Sequence, residues 1–277
     1  MTYFHFLLAF IIPPAVLLSL WVRPTRRQWA LLGLMAAITF IWTTPWDNYL
    51  VGSGVWYYSP DLVSGILLGY VPIEEYAFFG LQCWLVGMWT YTLLRLLNER
   101  VNGQTASAPV RAGLPQTAGP VLAVAALAAV AAFWLVPGTG GVPRAANLPP
   151  LPFGGWNYLL LILVWAVPVV AGQGVLGSQA ILTHWRTWLL SWLVPGVYLT
   201  VIDSIAIAGG TWKIAASQSL NVFVLGHVPI EEGVFFLITS VMVTQGVLMF
   251  TTPYAGERLR AWTKRTEAGG RKAVEVR

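Results

Sequence analysis

The sequence predicts an all-α integral membrane protein with seven transmembrane helices, set out as two parallel three-helix repeats joined by one linker helix. Composition is the first reason: 57% of the 277 residues are hydrophobic and only 10% are charged, where a soluble domain has about half and about a quarter. The second is that basic residues gather between alternate apolar runs. The third is a duplication: LGYVPIEEYAFF at residues 68–79 returns as LGHVPIEEGVFF at residues 225–236.

In chain order, the apolar runs place spans at 3–22, 28–46, 72–97, 119–136, 156–176, 186–208 and 226–250. Each is long enough to cross a hydrocarbon core of ~30 Å at ~1.5 Å per residue. The first reads as a span because no small-residue cleavage site follows it. The fourth, GPVLAVAALAAVAAFWLV, is mostly alanine and valine and carries no chemistry. These spans divide the chain into a first three-helix repeat (1–97), a linker with transmembrane helix 4 (98–155), a second repeat (156–250) and a basic cytoplasmic tail (251–277). Within the linker, residues 98–118 are polar and contain Gly and Pro, which reads as a flexible connection. Cys83 is the one cysteine, so no disulfide forms within the chain.

With seven spans, the loops after spans 1, 3 and 5 share a side with the C-terminal tail. Fourteen of the sixteen basic residues lie there, and only Arg144 and Lys213 lie opposite. The positive-inside rule then puts the N-terminus outside and the C-terminus in the cytoplasm of a multi-pass cell-membrane protein. The net charge of +5 is accounted for by this topology, and nucleic acid is not an expected partner. Acidic residues lean the other way. Asp47, Asp61, Glu74, Glu75, Asp203, Glu231 and Glu232 all fall on or near the outer side, and topology does not demand that.

A shift of 156 residues carries Asp47 onto Asp203 and Trp56 onto Trp212. With one inserted residue, Pro72–Glu75 falls on Pro229–Glu232, and Phe78 and Phe79 fall on Phe235 and Phe236. Spans 1–3 thus correspond to spans 5–7, and span 4 joins them. Equivalent spans are four crossings apart and run the same way, so the repeats are related by an axis along the membrane normal. Both PIEE segments then enter at one face and border one cleft.

Pro72 and Pro229 suit the first turn of a helix, with the glutamates just inside it. Acidic side chains favour that position by ~0.3–1 kcal/mol, so capping alone is one reading. The unchanged duplication, the apolar flanks and the extra acid in each half favour a reactive site. Asp203 is followed by SIAIAG and lies within the membrane, where a carboxyl is a functional candidate; Asp47 could instead sit in a wet turn. Several carboxyls in a poorly hydrated cleft cannot all ionise, which leaves a general acid beside a general base with no metal or cofactor. Adjacent helical glutamates point about 100° apart, so one of each pair faces the cleft. The reading favours Glu74 and Glu231, with Glu75 and Glu232 tuning them. Aromatic side chains would wall the cleft, and Trp42, Trp46, Trp56 and Trp212 lie near the acids. Their π faces could stabilise a carbocation. Tyr70, His227, Phe78, Phe79, Phe235 and Phe236 complete the expected substrate wall.

At these residues the chain resembles the lycopene cyclase domain family, the small membrane cyclases found as two short subunits or one fused chain. The resemblance rests on the doubled P-x-E-E motif, the positions of Asp47 and Asp203 and the 3+1+3 layout, and covers about residues 1–250. It implies a fused single chain that closes the ψ ends of lycopene into β-ionone rings without net redox change. A carboxylic acid would protonate the terminal alkene, the next alkene would attack the cation, and a carboxylate would remove a ring proton. The implied partners are the carotenoid and the lipid bilayer; homo-oligomerisation is left open. His227 replaces Tyr70 between the halves, which raises the question of one active half or two. Related cyclases that form ε rings or act on C50 chains share the first step. A repeat-built transporter also fits the acids, but it would leave the substrate skeleton unchanged. GQGVLG at 172–177 follows an apolar span and not a strand, so its glycines read as close helix packing, not nucleotide binding. A retinal protein would need a lysine in the last span, and none lies within 226–250.

Overall fold

The computed structural model describes residues 1–97, 100–101, 104–105 and 148–252. The expected span 119–136, most of the linker and the basic tail lie outside the described residues. Each remaining apolar run is a helix: α1 (Tyr3–Val22), α2 (Arg26–Gly52), α3 (Ile73–Leu96), α4 (Asn157–Thr183), α5 (Trp185–Ala208) and α6 (Ile230–Thr251). All six are long and apolar enough to cross a membrane.

Local chemistry sets the helix ends. A capping box opens α2: Gln28 N donates to Thr25 Oγ1 at 3.3 Å and Thr25 N donates to Gln28 Oε1 at 2.8 Å. That helix carries Pro45 inside it and runs on past residue 46 to Gly52, so Asp47 is a helical residue and not part of a turn. Helix α1 contains a π turn at Leu7–Ile11 just before Pro13 and Pro14. Pro14 has no N–H for the carbonyl of Phe10. The Tyr198 hydroxyl of α5 donates to that carbonyl instead, at 2.6 Å, so a backbone group freed inside the membrane is satisfied by a neighbouring helix. The GQGVLG stretch lies within α4. A Cβ at Gly177 would come 2.6 Å from Met249 Cγ, so this glycine serves close helix packing, while Gly172 and Gly174 face open space.

Short strands connect the helices: β1 (Trp56–Tyr58), β2 (Leu67–Leu68), β3 (Val71–Pro72), β4 (Arg100–Val101), β5 (Gln104–Thr105), β6 (Trp212–Ile214), β7 (Phe223–Val224) and β8 (Val228–Pro229). Strands β2 and β3 form a hairpin that feeds α3, β7 and β8 one that feeds α6, and β4 pairs with β5. Strand β1 pairs antiparallel with β6, setting Trp56 opposite Ile214, Tyr57 opposite Lys213 and Tyr58 opposite Trp212. Helices α1 and α2 pack on α3, α4 and α5 pack on α6, and α3 meets both α5 and α6. The two PIEE-bearing helices are therefore the most enclosed, with the two N-terminal ends beside the β1–β6 ribbon.

Candidate active site

The prolines of the two motifs are the N-caps of α3 and α6, in extended backbone, with φ −70° and ψ 150° at Pro72 and φ −57° and ψ 140° at Pro229. They stand just before the first turn, so the glutamates occupy its second and third positions. All four carboxyls are buried, and the members of each pair point in different directions.

Glu74 and Glu231 turn back toward the preceding loops. Glu74 accepts from the Ser64 amide at 2.5 Å and from its hydroxyl at 3.1 Å. Glu231 accepts from the Leu220 amide at 2.6 Å. Each loop is also held by the first helical amide, Ile73 N donating to Ile66 O at 3.0 Å and Ile230 N to Val222 O at 2.8 Å. Glu75 and Glu232 instead border a cavity lined from α1, α3, α5, α6 and the β1–β6 ribbon. Glu75 Oε2 accepts from the Tyr3 hydroxyl at 2.6 Å and the Tyr58 hydroxyl at 2.9 Å. Glu232 Oε1 accepts from the Tyr158 hydroxyl at 2.8 Å. Burial and the Glu75 carboxylate hold the Tyr58 phenol well above its ordinary pKa of 10, so it remains a donor throughout the working pH range.

Asp203 borders the same cavity and accepts from Trp212 Nε1 at 2.9 Å. Asp47 is fully buried in α2 but outside the cavity lining, and its carboxylate oxygens take no hydrogen bond from the described residues. Of the expected aromatic wall, Trp56, Trp212, Phe78, Phe235 and Phe236 do border the cavity. Trp46 stands behind it, stacked on Trp165 at 4.3 Å and on Phe235 at 5.8 Å. Phe79 packs edge-on against Tyr76 at 5.5 Å. Trp42 is 46% exposed on the outer face of α2. Tyr70 is buried in the turn between β2 and β3, its amide bonded to Asn48 Oδ1 at 2.7 Å. His227 is exposed, its Nε2 2.8 Å from the Ser204 carbonyl. These last four lie away from the cavity.

Reading the sequence missed Tyr3, Phe6, Tyr58 and Tyr158. A signal existed for two of them: Tyr3 and Tyr158 open equivalent spans, 155 residues apart. Tyr58 had none, because its contact depends on a loop folding back over α3. The assembled site holds three carboxyls, phenol donors and aromatic faces, and among the described residues no Lys, Arg or His borders it. Such a chamber can give a proton, shelter a cation against π faces and take a proton back.

Comparison with known proteins identifies the family. The lycopene cyclase family profile matches residues 1–94 and 154–250. The chain is 35% identical over 256 residues to proteins named lycopene beta-cyclase in two strains of Halobacterium salinarum, covering 90% of this chain and 95% of theirs. It is 34% identical to a bifunctional lycopene cyclase/phytoene synthase of Sporisorium reilianum, over 90% of this chain but 35% of that longer protein. No solved structure matches. With more than half its length matched by the family profile and whole-length relatives above 30% identity, the chain belongs to the lycopene cyclase family.

Proposed function

We propose that the chain is a lycopene β-cyclase that converts lycopene through γ-carotene to β-carotene, with Glu75 and Glu232 as the reacting carboxyls. The observation that carries this reading is the convergence of those two glutamates, one from each PIEE motif, on one aromatic cavity. A carboxylic acid adds a proton to the terminal double bond of a ψ end. The resulting tertiary cation is attacked by the neighbouring alkene, which forms the ring bond and moves the charge onto the ring. A carboxylate removes a ring proton and leaves the β double bond. The product is an isomer of the substrate, with no net change in protons or electrons. Trp56, Trp212, Phe78, Phe235 and Phe236 would face the cation. Glu74 and Glu231 would hold the loops that close the cavity, and Asp203, fixed by Trp212, would add to its charge balance. Asp47, Trp46, Trp42, Tyr70, Phe79 and His227 would act, if at all, through their neighbours.

The architecture that fits this reading is two parallel three-helix repeats, 1–97 and 156–250, joined through a span at 119–136. Equivalent contacts support it. Tyr3 to Glu75 is matched by Tyr158 to Glu232, and Ser64 to Glu74 by Leu220 to Glu231. The β1–β6 register also pairs the two equivalent strands symmetrically about Tyr57 and Lys213. The segregation of basic residues supports an outer N-terminus and a cytoplasmic tail. Expression in cells that accumulate lycopene, followed by pigment chromatography, tests the function. The expected products are γ- and β-carotene. Unchanged lycopene with the protein present in the membrane would overturn the proposal, and ε-ring products would redirect it to a related cyclase.

A further inference from the structure

Among the described residues, the two halves deliver unequal numbers of hydrogen bonds to their inward-facing glutamates. Glu75 Oε2 receives two phenol donors, Tyr3 at 2.6 Å and Tyr58 at 2.9 Å. Glu232 receives one, Tyr158 at 2.8 Å, on Oε1. The difference lies in the ribbon strands. The first repeat reads Trp56-Tyr57-Tyr58 and the second Trp212-Lys213-Ile214, so the position equivalent to Tyr58 carries an aliphatic side chain with nothing to donate. In the ribbon Tyr58 stands opposite Trp212. One strand therefore supplies the second donor to Glu75, while the other supplies the indole that bonds Asp203 Oδ1 at 2.9 Å. Donors aimed at a carboxyl favour its anion, and a second carboxyl nearby disfavours another anion.

We infer that Glu232 is the proton donor that opens the reaction, that Glu75 is the carboxylate that takes the ring proton, and that Tyr3 and Tyr58 are positioning residues that fix Glu75 in that part. This rests on the reading of Glu75 and Glu232 as the reacting pair. The proton leaves the Glu232 carboxyl for the terminal alkene carbon, the ring bond forms, and a ring proton passes to Glu75. Its return to Glu232 before the next ring closes the cycle without oxidant or reductant. Only one orientation of a ψ end is then productive, with the alkene toward α6 and the ring proton toward α3, and the two ends of the polyene react in turn.

The test is the pH dependence of kcat/KM for the full chain in liposomes supplied with lycopene. Activity requires Glu75 ionised, which sets the acid limb, and Glu232 protonated, which sets the alkaline limb. Loss of a donor makes an anion harder to form. Tyr58→Phe should therefore move the acid limb to higher pH by about one unit and narrow the profile. Tyr158→Phe should move the alkaline limb to higher pH by a similar amount and widen it. Tyr3→Phe acts on the same oxygen as Tyr58→Phe and should move the same limb, which keeps the test intact if one variant does not accumulate. Exchange of the limbs between the Tyr58 and Tyr158 variants, or unmoved limbs in both, overturns the assignment. Glu75→Gln and Glu232→Gln separate the two levels. If both abolish turnover while the limbs are exchanged, the pair stands and only the roles fall. If either retains turnover, the pair itself fails.

Discussion

The acid that the motif presents first is not the acid that meets the cavity. On spacing alone either glutamate of a pair could face inward, because neighbouring helical positions diverge by about 100°. Glu74 is drawn outward by two donors from Ser64, and that leaves Glu75 for the phenols of Tyr3 and Tyr58. The carboxyls of one motif therefore differ in what a conservative change does. Glu75→Gln should abolish cyclised product in a protein that still reaches the membrane, as read by pigment analysis beside an immunoblot. Glu74→Gln keeps an oxygen that can accept from the Ser64 amide but puts an NH2 where the Ser64 hydroxyl finds its acceptor. It should leave ring formation in place and lower stability by about 1–2 kcal/mol, read as an earlier thermal transition in detergent. The favoured status of Glu74 and Glu231 in the sequence reading had no warrant beyond their place in the motif. The deciding donors come from residues about ten positions upstream in loops whose path no periodicity reveals.

Helices and their breaks were legible where chemistry is local. Five of the six described helices begin within about two residues of the expected spans, and α6 begins four residues later because residues 226–229 form the β8 hairpin that precedes it. The apolar runs placed Pro45 inside the second span but gave no warning that α2 would continue to Gly52, burying Asp47. That continuation depends on tertiary partners, as at Asn48, which bonds the Thr44 carbonyl, the Tyr76 hydroxyl and the Tyr70 amide. The β2–β3 hairpin turns at Gly69, with φ +70°, where a Cβ would collide with the Asn48 side chain. Gly69→Ala should cost at least about 1 kcal/mol from the backbone alone and release the loop above α3, measurable as faster proteolysis of that loop and a lower melting temperature. Tyr198→Phe removes the donor that satisfies the Phe10 carbonyl left open by Pro14. About 1 kcal/mol of stability should go with it, while Asp203, more than a turn further along α5, keeps its bond to Trp212.

Over the whole molecule, the duplicated motif and the segregated charges both fit the proposed architecture, one three-helix unit folded twice in the same sense. The sequence displayed the duplication because Asp47 and Asp203, Trp56 and Trp212, and the two PIEE segments kept their spacing to within one residue. It did not reveal which differences between the halves bear on the site: the change from Tyr58 to Ile214 removes a donor to a cavity carboxyl, whereas the change from Tyr70 to His227 lies away from the cavity. Conserved spacing builds the shared cavity, and the divergent positions change what each half contributes to it. In intact cells a C-terminal epitope tag should resist external protease and an N-terminal one should be cleaved; the reverse pattern would overturn the proposed orientation. The most direct measurement of the central claim, that one carboxyl from each half converges on one chamber for one reaction, is product analysis of paired variants in lycopene-accumulating cells. Glu75→Gln and Glu232→Gln should each leave lycopene uncyclised at normal membrane levels of protein, with neither yielding γ-carotene. Steady formation of γ- or β-carotene by either single variant would contradict a shared site and point to two halves working alone.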